Sequence, residues 1–204
     1  PQNKFLAWQG NTDYYTYLDG TDLVREHAGK DEKAVVLNLA ELNVMLASEL
    51  KGFPQFSWLD DETLVIRRQG KEYMIDVTAK NVKSVTTLPK GAADITYSKA
   101  AGKYAYTRDN NLYITDPAGN IITVTADKDK NIVNGQTVSR NEFGIHGGIF
   151  WSPDGKKLAF YRKDESKVAT FPLLDITTRT GSLKEIKYPM SGMDSEKISL
   201  GVYD

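Results

Sequence analysis

The chain has 204 residues, of which 40% are hydrophobic and 26% charged, and its net charge is -1. That length buries a core, and the even charge balance excludes a polybasic nucleic-acid or membrane-surface binder. With no cysteine, disulfides, thiol catalysis and thiolate metal sites are excluded, and with only His27 and His146 a histidine-rich metal site is not expected.

At the amino terminus, Pro1-Gln2-Asn3 reads as a cut end, with no signal-peptide core and no apolar run of the roughly 18 residues that span a membrane. A first strand-rich unit starts near Trp8, with "DYYTY" and then "TDLV". Residues 39–50, "LAELNVMLASEL", carry Leu39, Leu42, Met45 and Leu46 at helical spacing, so a loop or a short helix is predicted there. Trp58 and Tyr97 open two units that match each other at an offset of 39. "SWLDDETLVIRRQGKEYMIDV" lies on "TYSKAAGKYAYTRDNNLYITD" without a gap, which sets Leu64-Val65-Ile66 on Lys103-Tyr104-Ala105 and Tyr73-Met74-Ile75 on Leu112-Tyr113-Ile114.

Before the next unit comes an insertion of about fifteen residues within Asp127–Gly147, and long insertions of this kind leave blade ends and carry function. It is polar as far as Asn141 and apolar at Phe143 and Ile145, the composition of a loop that reaches out and folds back on the body. Then "IFWSPDGKKLAFYR" reads as a hairpin. Pro153 and Asp154 suit a turn, Gly155 supplies φ > 0, and Leu158 to Arg162 alternate as a strand. In this unit "KLAFYRKDESKV" takes the place of "KYAYTRDNNLYI". The chain stops at Gly201-Val202-Tyr203-Asp204, inside a predicted strand, so both ends read as those of a fragment. Units of aromatic, turn, strand, polar turn and strand, recurring every 40 to 54 residues or so, predict an all-β fold of antiparallel four-stranded blades. The expected architecture is a β-propeller of about four blades, part of a larger one; a β-sandwich has similar strands but gives no such self-match.

The chemistry-bearing motifs are few. Gly-x-Ser-x-Gly, a phosphate loop, His-Glu-x-x-His and an EF-hand loop are all absent, so no peptide hydrolysis is expected of this chain alone. Asp60-Asp61-Glu62, Asp164-Glu165 and the "KDKN" run at 128–131 read as solvated charges, and neither metal nor cofactor is expected. Glu142, in Arg140-Asn141-Glu142-Phe143, has two readings. It either closes a loop salt bridge with Arg140 or binds a cation such as a free amino terminus.

Several segments together resemble one family. Arg140-Asn141-Glu142-Phe143-Gly144-Ile145, "FWSPDGKKLAFYR", Asp164-Glu165-Ser166-Lys167-Val168, Tyr188-Pro189-Met190-Ser191-Gly192 and "ISLGVYD" look like the N-terminal propeller of the dipeptidyl peptidase IV family, in particular of bacterial dipeptidyl and prolyl tripeptidyl peptidases. The resemblance is strong over residues 92–204, whereas residues 1–91 agree mainly in repeat pattern. It implies that residues 1–204 are part of an eight-bladed propeller covering an α/β-hydrolase domain, absent from this chain, of a serine exopeptidase that cleaves after proline. It also implies a periplasmic, secreted or cell-surface protein and peptide substrates with a free amino terminus; the charge balance points to no nucleic acid, and the raw edge strands of an open arc of about four blades predict pairing with another copy, as a homodimer, or poor solubility. In that family, propeller glutamates bind the substrate's α-ammonium, and dipeptidyl members use two adjacent ones. Here the segment offers Glu142 preceded by Asn141 and Arg140, closer to the tripeptidyl pattern, which leaves the cleaved length open. The alternative function is a propeller that serves only as a protein-interaction scaffold of the periplasm.

Overall fold

In a computed structural model, residues 4–204 are described, apart from the side chains of Lys4 and Arg140. The chain forms two compact units, Pro1–Lys90 and Gly91–Asp204, built almost wholly of antiparallel strands. The first unit holds two four-stranded sheets. One runs β1 (Lys4–Trp8), β2 (Tyr14–Asp19), β3 (Asp22–His27), β4 (Lys33–Asn38), and the other β5 (Phe56–Trp58), β6 (Thr63–Arg68), β7 (Lys71–Asp76), β8 (Asn81–Thr87), each in chain order. The second unit begins with a third such sheet, β9 (Ala93–Ser98), β10 (Lys103–Arg108), β11 (Asn111–Thr115), β12 (Ile121–Thr123).

Turn chemistry sets this meander. The central hairpin of each sheet closes through two residues. These are Gly20-Thr21 with Gly20 at φ 63°, Gln69-Gly70 at 50° and 71°, and Asp109-Asn110 at 49° and 64°. Positive φ at such turns matches the right-handed twist of the flanking strands, and Asn, Asp and Gly bear it at low cost. Between the first two sheets lies α1 (Leu39–Leu46), as the spacing predicts. Asn38 and Glu41 form a capping box: Asn38 Oδ1 accepts from the Glu41 N–H at 2.8 Å, and Glu41 Oε2 accepts from the Asn38 N–H at 3.0 Å. The helix is shorter than its helical-looking sequence because Ala47 turns left-handed, at φ 46°. Leu39 and Leu42 of α1 join Leu23, Leu37, Leu64, Ile66 and Ile75 in one buried cluster.

The repeat is real, with one correction. Trp8 opposes Tyr15, Trp58 opposes Leu64, Tyr97 opposes Tyr104 and Trp151 opposes Leu158, so the four aromatic residues hold equivalent first-strand positions. The gapless offset of 39, however, holds only for the first strand. The hairpin pairs Arg68 with Lys71 in one sheet and Arg108 with Asn111 in the next, an offset of 40. The turn after Tyr97 is thus one residue longer than the turn after Trp58. A one-residue slip exchanges the two faces of a strand, and only the offset of 40 lays buried Leu64 and Ile66 on buried Tyr104 and Tyr106.

The last sheet departs from the meander. β13 (Ile132–Asn134) and β14 (Ile149–Trp151) both pair with one edge of β15 (Leu158–Asp164), and β18 (Lys197–Tyr203) pairs with the other. β16 (Thr170–Asp175) and β17 (Ser182–Lys187) form a separate hairpin inserted between β15 and β18. The alignment that lays "ESKV", residues 165–168, on the strand residues "NLYI" therefore fails. Those residues turn instead: Asp164 Oδ1 accepts from the Ser166 N–H, the Glu165 carbonyl accepts from the Val168 N–H, and Glu165 pairs with Lys163 at 2.7 Å. The β14–β15 hairpin closes as predicted, with Gly155 at φ 70° and its N–H on the Ser152 carbonyl.

Candidate functional site

The insertion does not leave a blade end; it interrupts a strand. β13 pairs with Arg162–Asp164 and β14 with Leu158–Phe160, so the two are one strand split opposite Tyr161. The Tyr161 carbonyl accepts from the Gly135 N–H at 2.8 Å and its own N–H donates to the Gly148 carbonyl at 3.0 Å, which pinches the loop 135–148 shut at its root. Glycine is required there. Gly135 sits at φ 74°, and a Cβ on Gly148 would collide with the Gln136 carbonyl and lie 2.7 Å from the Gly135 carbonyl carbon.

A buried polar hub stands beside this root. Asn134, fully buried, donates from Nδ2 to Asp127 Oδ2 at 3.0 Å and to the Asn110 carbonyl at 3.2 Å. Arg162 holds the other oxygen of Asp127 at 3.1 Å, and Gln136 donates to Asn110 Oδ1 at 3.3 Å. These bonds fix the direction in which the loop departs. The sequence analysis missed this hub: the dipeptide Asn134-Gly135 is a turn signal that marks its place, but the convergence of Asp127 and Arg162 on it has no local signal.

Farther out, the loop folds on itself. A 3-10 turn, Ser139–Asn141, ends with the Glu142 N–H on the Ser139 carbonyl at 2.9 Å, and the Ile145 N–H returns to the Glu142 carbonyl at 3.0 Å. Thr137 Oγ1 donates to the Ile145 carbonyl at 3.2 Å. The three-residue cluster singled out in the sequence thus sits on one turn. Asn141 and Glu142 are exposed, and the side chain of Arg140 lies outside the described residues. No hydrogen bond or ion pair engages the Glu142 carboxylate among the described residues. Ser139, Asn141 and Phe143 adopt φ of 51°, 62° and 56°, an unusual density of left-handed non-glycine backbone.

One expectation fails here. Phe143 does not fold back on the body but is 87% exposed, and Ile145 is half-buried. The left-handed backbone at Phe143, followed by Gly144 at φ 74°, carries the ring away from the blade instead of onto it. The other residues weighed in the sequence are structural or solvated. Asp60 caps its turn through the Glu62 and Thr63 N–H groups, and Asp61 Oδ1 accepts from the Asn11 N–H. His146 is exposed, and His27 packs edge-on against Tyr14. Among the described residues no group of three or more histidines or carboxylates is arranged to hold a metal ion.

With this geometry in view, the likeness to known proteins is specific. Residues 61–204 match the family model described as the dipeptidyl peptidase IV N-terminal region. A probable dipeptidyl-aminopeptidase B of Talaromyces marneffei is 31% identical over 133 residues, 57% of this chain and 15% of the relative. The corresponding protein of Aspergillus niger is 27% identical over 233 aligned residues, 100% of this chain and 26% of its own length. The crystal structure of a protein assigned as a dipeptidyl aminopeptidase IV from Bacteroides ovatus superposes with a TM-score of 0.80 at 34% identity, covering 100% of this chain and 29% of that one. Dipeptidyl peptidase 4 of Porphyromonas gingivalis shares the fold, with a TM-score of 0.72 at 22% identity, over 100% of this chain and 31% of its own. The chain thus spans less than a third of the length of each of these relatives. Its antiparallel four-stranded sheets are the blades of a partial propeller, and the chain belongs to the dipeptidyl peptidase IV family, within its N-terminal region.

Proposed function

We propose that this chain is the part of a proline-specific serine exopeptidase that receives the substrate's free amino terminus, with Glu142 as the anionic group and Asn141 and Arg140 beside it. The observation that carries the reading is a carboxylate with no partner among the described residues, exposed on a loop whose root is fixed by the Tyr161 and Asn134 hydrogen bonds. An ammonium meeting it forms a charge-assisted bond, and because the loop root is fixed, little order is lost on binding. Asn141 stands where a second carboxylate would double that charge. The number of residues between the bound ammonium and the scissile bond is then set by one glutamate and by the hydrolase domain of the same polypeptide, in a periplasmic or secreted protein that pairs with a second copy. The serine nucleophile, its base and its acid belong to that hydrolase domain, so residues 1–204 alone turn over no peptide.

The test uses the full-length protein with Glu142→Gln and Glu142→Ala, on peptides with free and with acetylated amino termini. Because the carboxylate is exposed and water screens it, its loss should cost about 1.5 to 3 kcal/mol, roughly 10- to 150-fold in kcat/KM. Gln should be nearly as poor as Ala, since the charge does the binding. Acetylated peptides should be poor substrates for all three proteins. Equal cleavage of the free-amine peptide by wild type and both variants would reduce Glu142 to an ordinary loop residue.

A further inference from the structure

The contacts that place Glu142 begin on the preceding sheet, at residues that do not reach the substrate themselves. Asp127, which follows β12, is clamped to β11: its N–H donates to Asn111 Oδ1 at 2.9 Å, and its carbonyl accepts from Asn111 Nδ2 at 3.0 Å. The Asp127 carboxylate then bridges a cross-strand pair of the last sheet, because Asn134 and Arg162 are partners in the β13–β15 register. One oxygen takes the Asn134 amide and the other the Arg162 guanidinium. The Asn134 amide cannot be reversed, since its Oδ1 would then face two acceptors, Asp127 Oδ2 and the Asn110 carbonyl. With side chains 40% and 28% exposed, the Arg162–Asp127 pair adds little to stability, but two directed bonds on one carboxylate fix how the strand enters the loop.

Asn110 brackets the same root from the β10–β11 turn. Its carbonyl accepts from the Asn134 N–H at 2.9 Å, its Oδ1 accepts from Gln136 Nε2, and its Nδ2 donates to the Lys130 carbonyl at 3.0 Å. Gln136 already belongs to the loop, so the anchorage continues outward. Thr137 is tied across the loop to the Ile145 carbonyl, and Val138 is only 4% exposed. The Val138 carbonyl accepts from the Asn141 N–H at 3.3 Å, and the Ser139 carbonyl accepts from the Glu142 N–H. Hydrogen bonds and one buried side chain thus support the path from Asp127 and Asn110 to the backbone of Glu142.

We propose that Asp127 and Asn110 are positioning residues for peptide cleavage, acting through the loop root to hold Glu142 where the substrate's ammonium meets it. The inference rests on the Glu142 reading and adds to it the residues that set the reach of the carboxylate. A group that fixes the distance from the amino terminus to the scissile bond must itself be fixed, because a misplacement of about 1 Å costs up to about 100-fold in rate.

The experiment measures kcat/KM of the full-length protein on free-amine and acetylated peptides. The variants are Asp127→Asn, Asn110→Gly and Glu142→Gln, with each of the first two also combined with Glu142→Gln. An amide at position 127 can accept from only one of the two donors, Asn134 and Arg162. Glycine at position 110 keeps the turn, whose φ there is 64°, and its carbonyl, and removes both side-chain bonds, so it leaves the fold intact. Each single variant should lose about 3- to 30-fold on the free-amine peptide, no more than Glu142→Gln, and less than about twofold on the acetylated one. Neither should lose anything further in the Glu142→Gln background, whereas a general loss of stability would lower both peptides alike and multiply with Glu142→Gln. Full free-amine activity of either variant, or losses that multiply with Glu142→Gln, overturns the positioning role and leaves the Glu142 reading standing. If Glu142→Gln is itself silent, both fall.

Discussion

The first two sheets supply a template for repairing the last two. Trp58 donates its indole N–H to Thr16 Oγ1 of the preceding sheet at 3.0 Å, and Thr16 Oγ1 in turn donates to the Ala7 carbonyl at 3.1 Å. Trp151 holds the same first-strand position as Trp58, and its indole nitrogen is buried with no partner among the described residues. The residue equivalent to Thr16 is Ala105: Thr16 opposes Ala7 on β1 as Ala105 opposes Thr96 on β9. The hydroxyl is missing where the second indole needs it. Ala105→Ser adds one oxygen to a fully buried residue of the cluster against which Trp151 packs. That hydroxyl can accept from Trp151 and donate to the Thr96 carbonyl. A satisfied buried hydrogen bond contributes about 1 kcal/mol net, and relief of the orphaned N–H adds to it, while desolvating and fitting the new oxygen subtracts. The expected net gain is about 1 kcal/mol, a rise in Tm of roughly 2 to 4 °C for a chain of this size. The reverse change, Thr16→Ala, should cost about 1 to 3 kcal/mol by leaving Trp58 in the state of Trp151. Thermal melts of Ala105→Ser, Trp151→Phe and the double variant form the cycle that isolates the bond. If Ala105→Ser changes Tm equally with Trp151 intact and in the Trp151→Phe background, the indole is not its partner and the blade equivalence has been carried too far.

Other outcomes can be checked with less. Gly155→Ala places a Cβ in left-handed backbone, 2.6 Å from the Ala101 nitrogen and 2.9 Å from Ser98 Oγ, so it should destabilise by about 2 to 4 kcal/mol, more than turn strain alone; a melt matching wild type would remove the tight β9–β10 turn contact from the account. The Ser152 hydroxyl and then the Lys156 N–H hold the Asp154 carboxyl below its ordinary range, as the Asn120 and Thr177 contacts do for Asp116 and Asp175. A lowered folded pKa means stability that is present above the unfolded carboxylate value near pH 4 and lost as pH falls through the folded one. Urea midpoints should therefore decline below about pH 4, and Asp154→Asn should be the less stable protein at neutral pH with a flatter acid limb; parallel pH profiles for the two proteins would contradict the assignment.

What the residues determine by themselves is local. Alternation of side chains, the φ > 0 demanded at Gly155, the capping residues of α1 and the recurrence of Trp58, Tyr97 and Trp151 all depend on neighbours within a few positions or on self-similarity, so the propeller class and the loop bearing Glu142 are legible in the amino-acid order alone. Tertiary structure decides what rests on pairing between distant segments. The offset of 40 instead of 39 is set by the length of the turn after Tyr97, and because Leu64-Val65-Ile66 and Tyr104-Ala105-Tyr106 are apolar at every position, their pattern accepts either register until the sheet is packed. Likewise, whether residues 135–148 leave a blade end or split a strand depends on Tyr161, whose carbonyl and N–H bond both ends of the loop. The same holds for Phe143, whose apolar character predicts burial while its left-handed backbone points it outward.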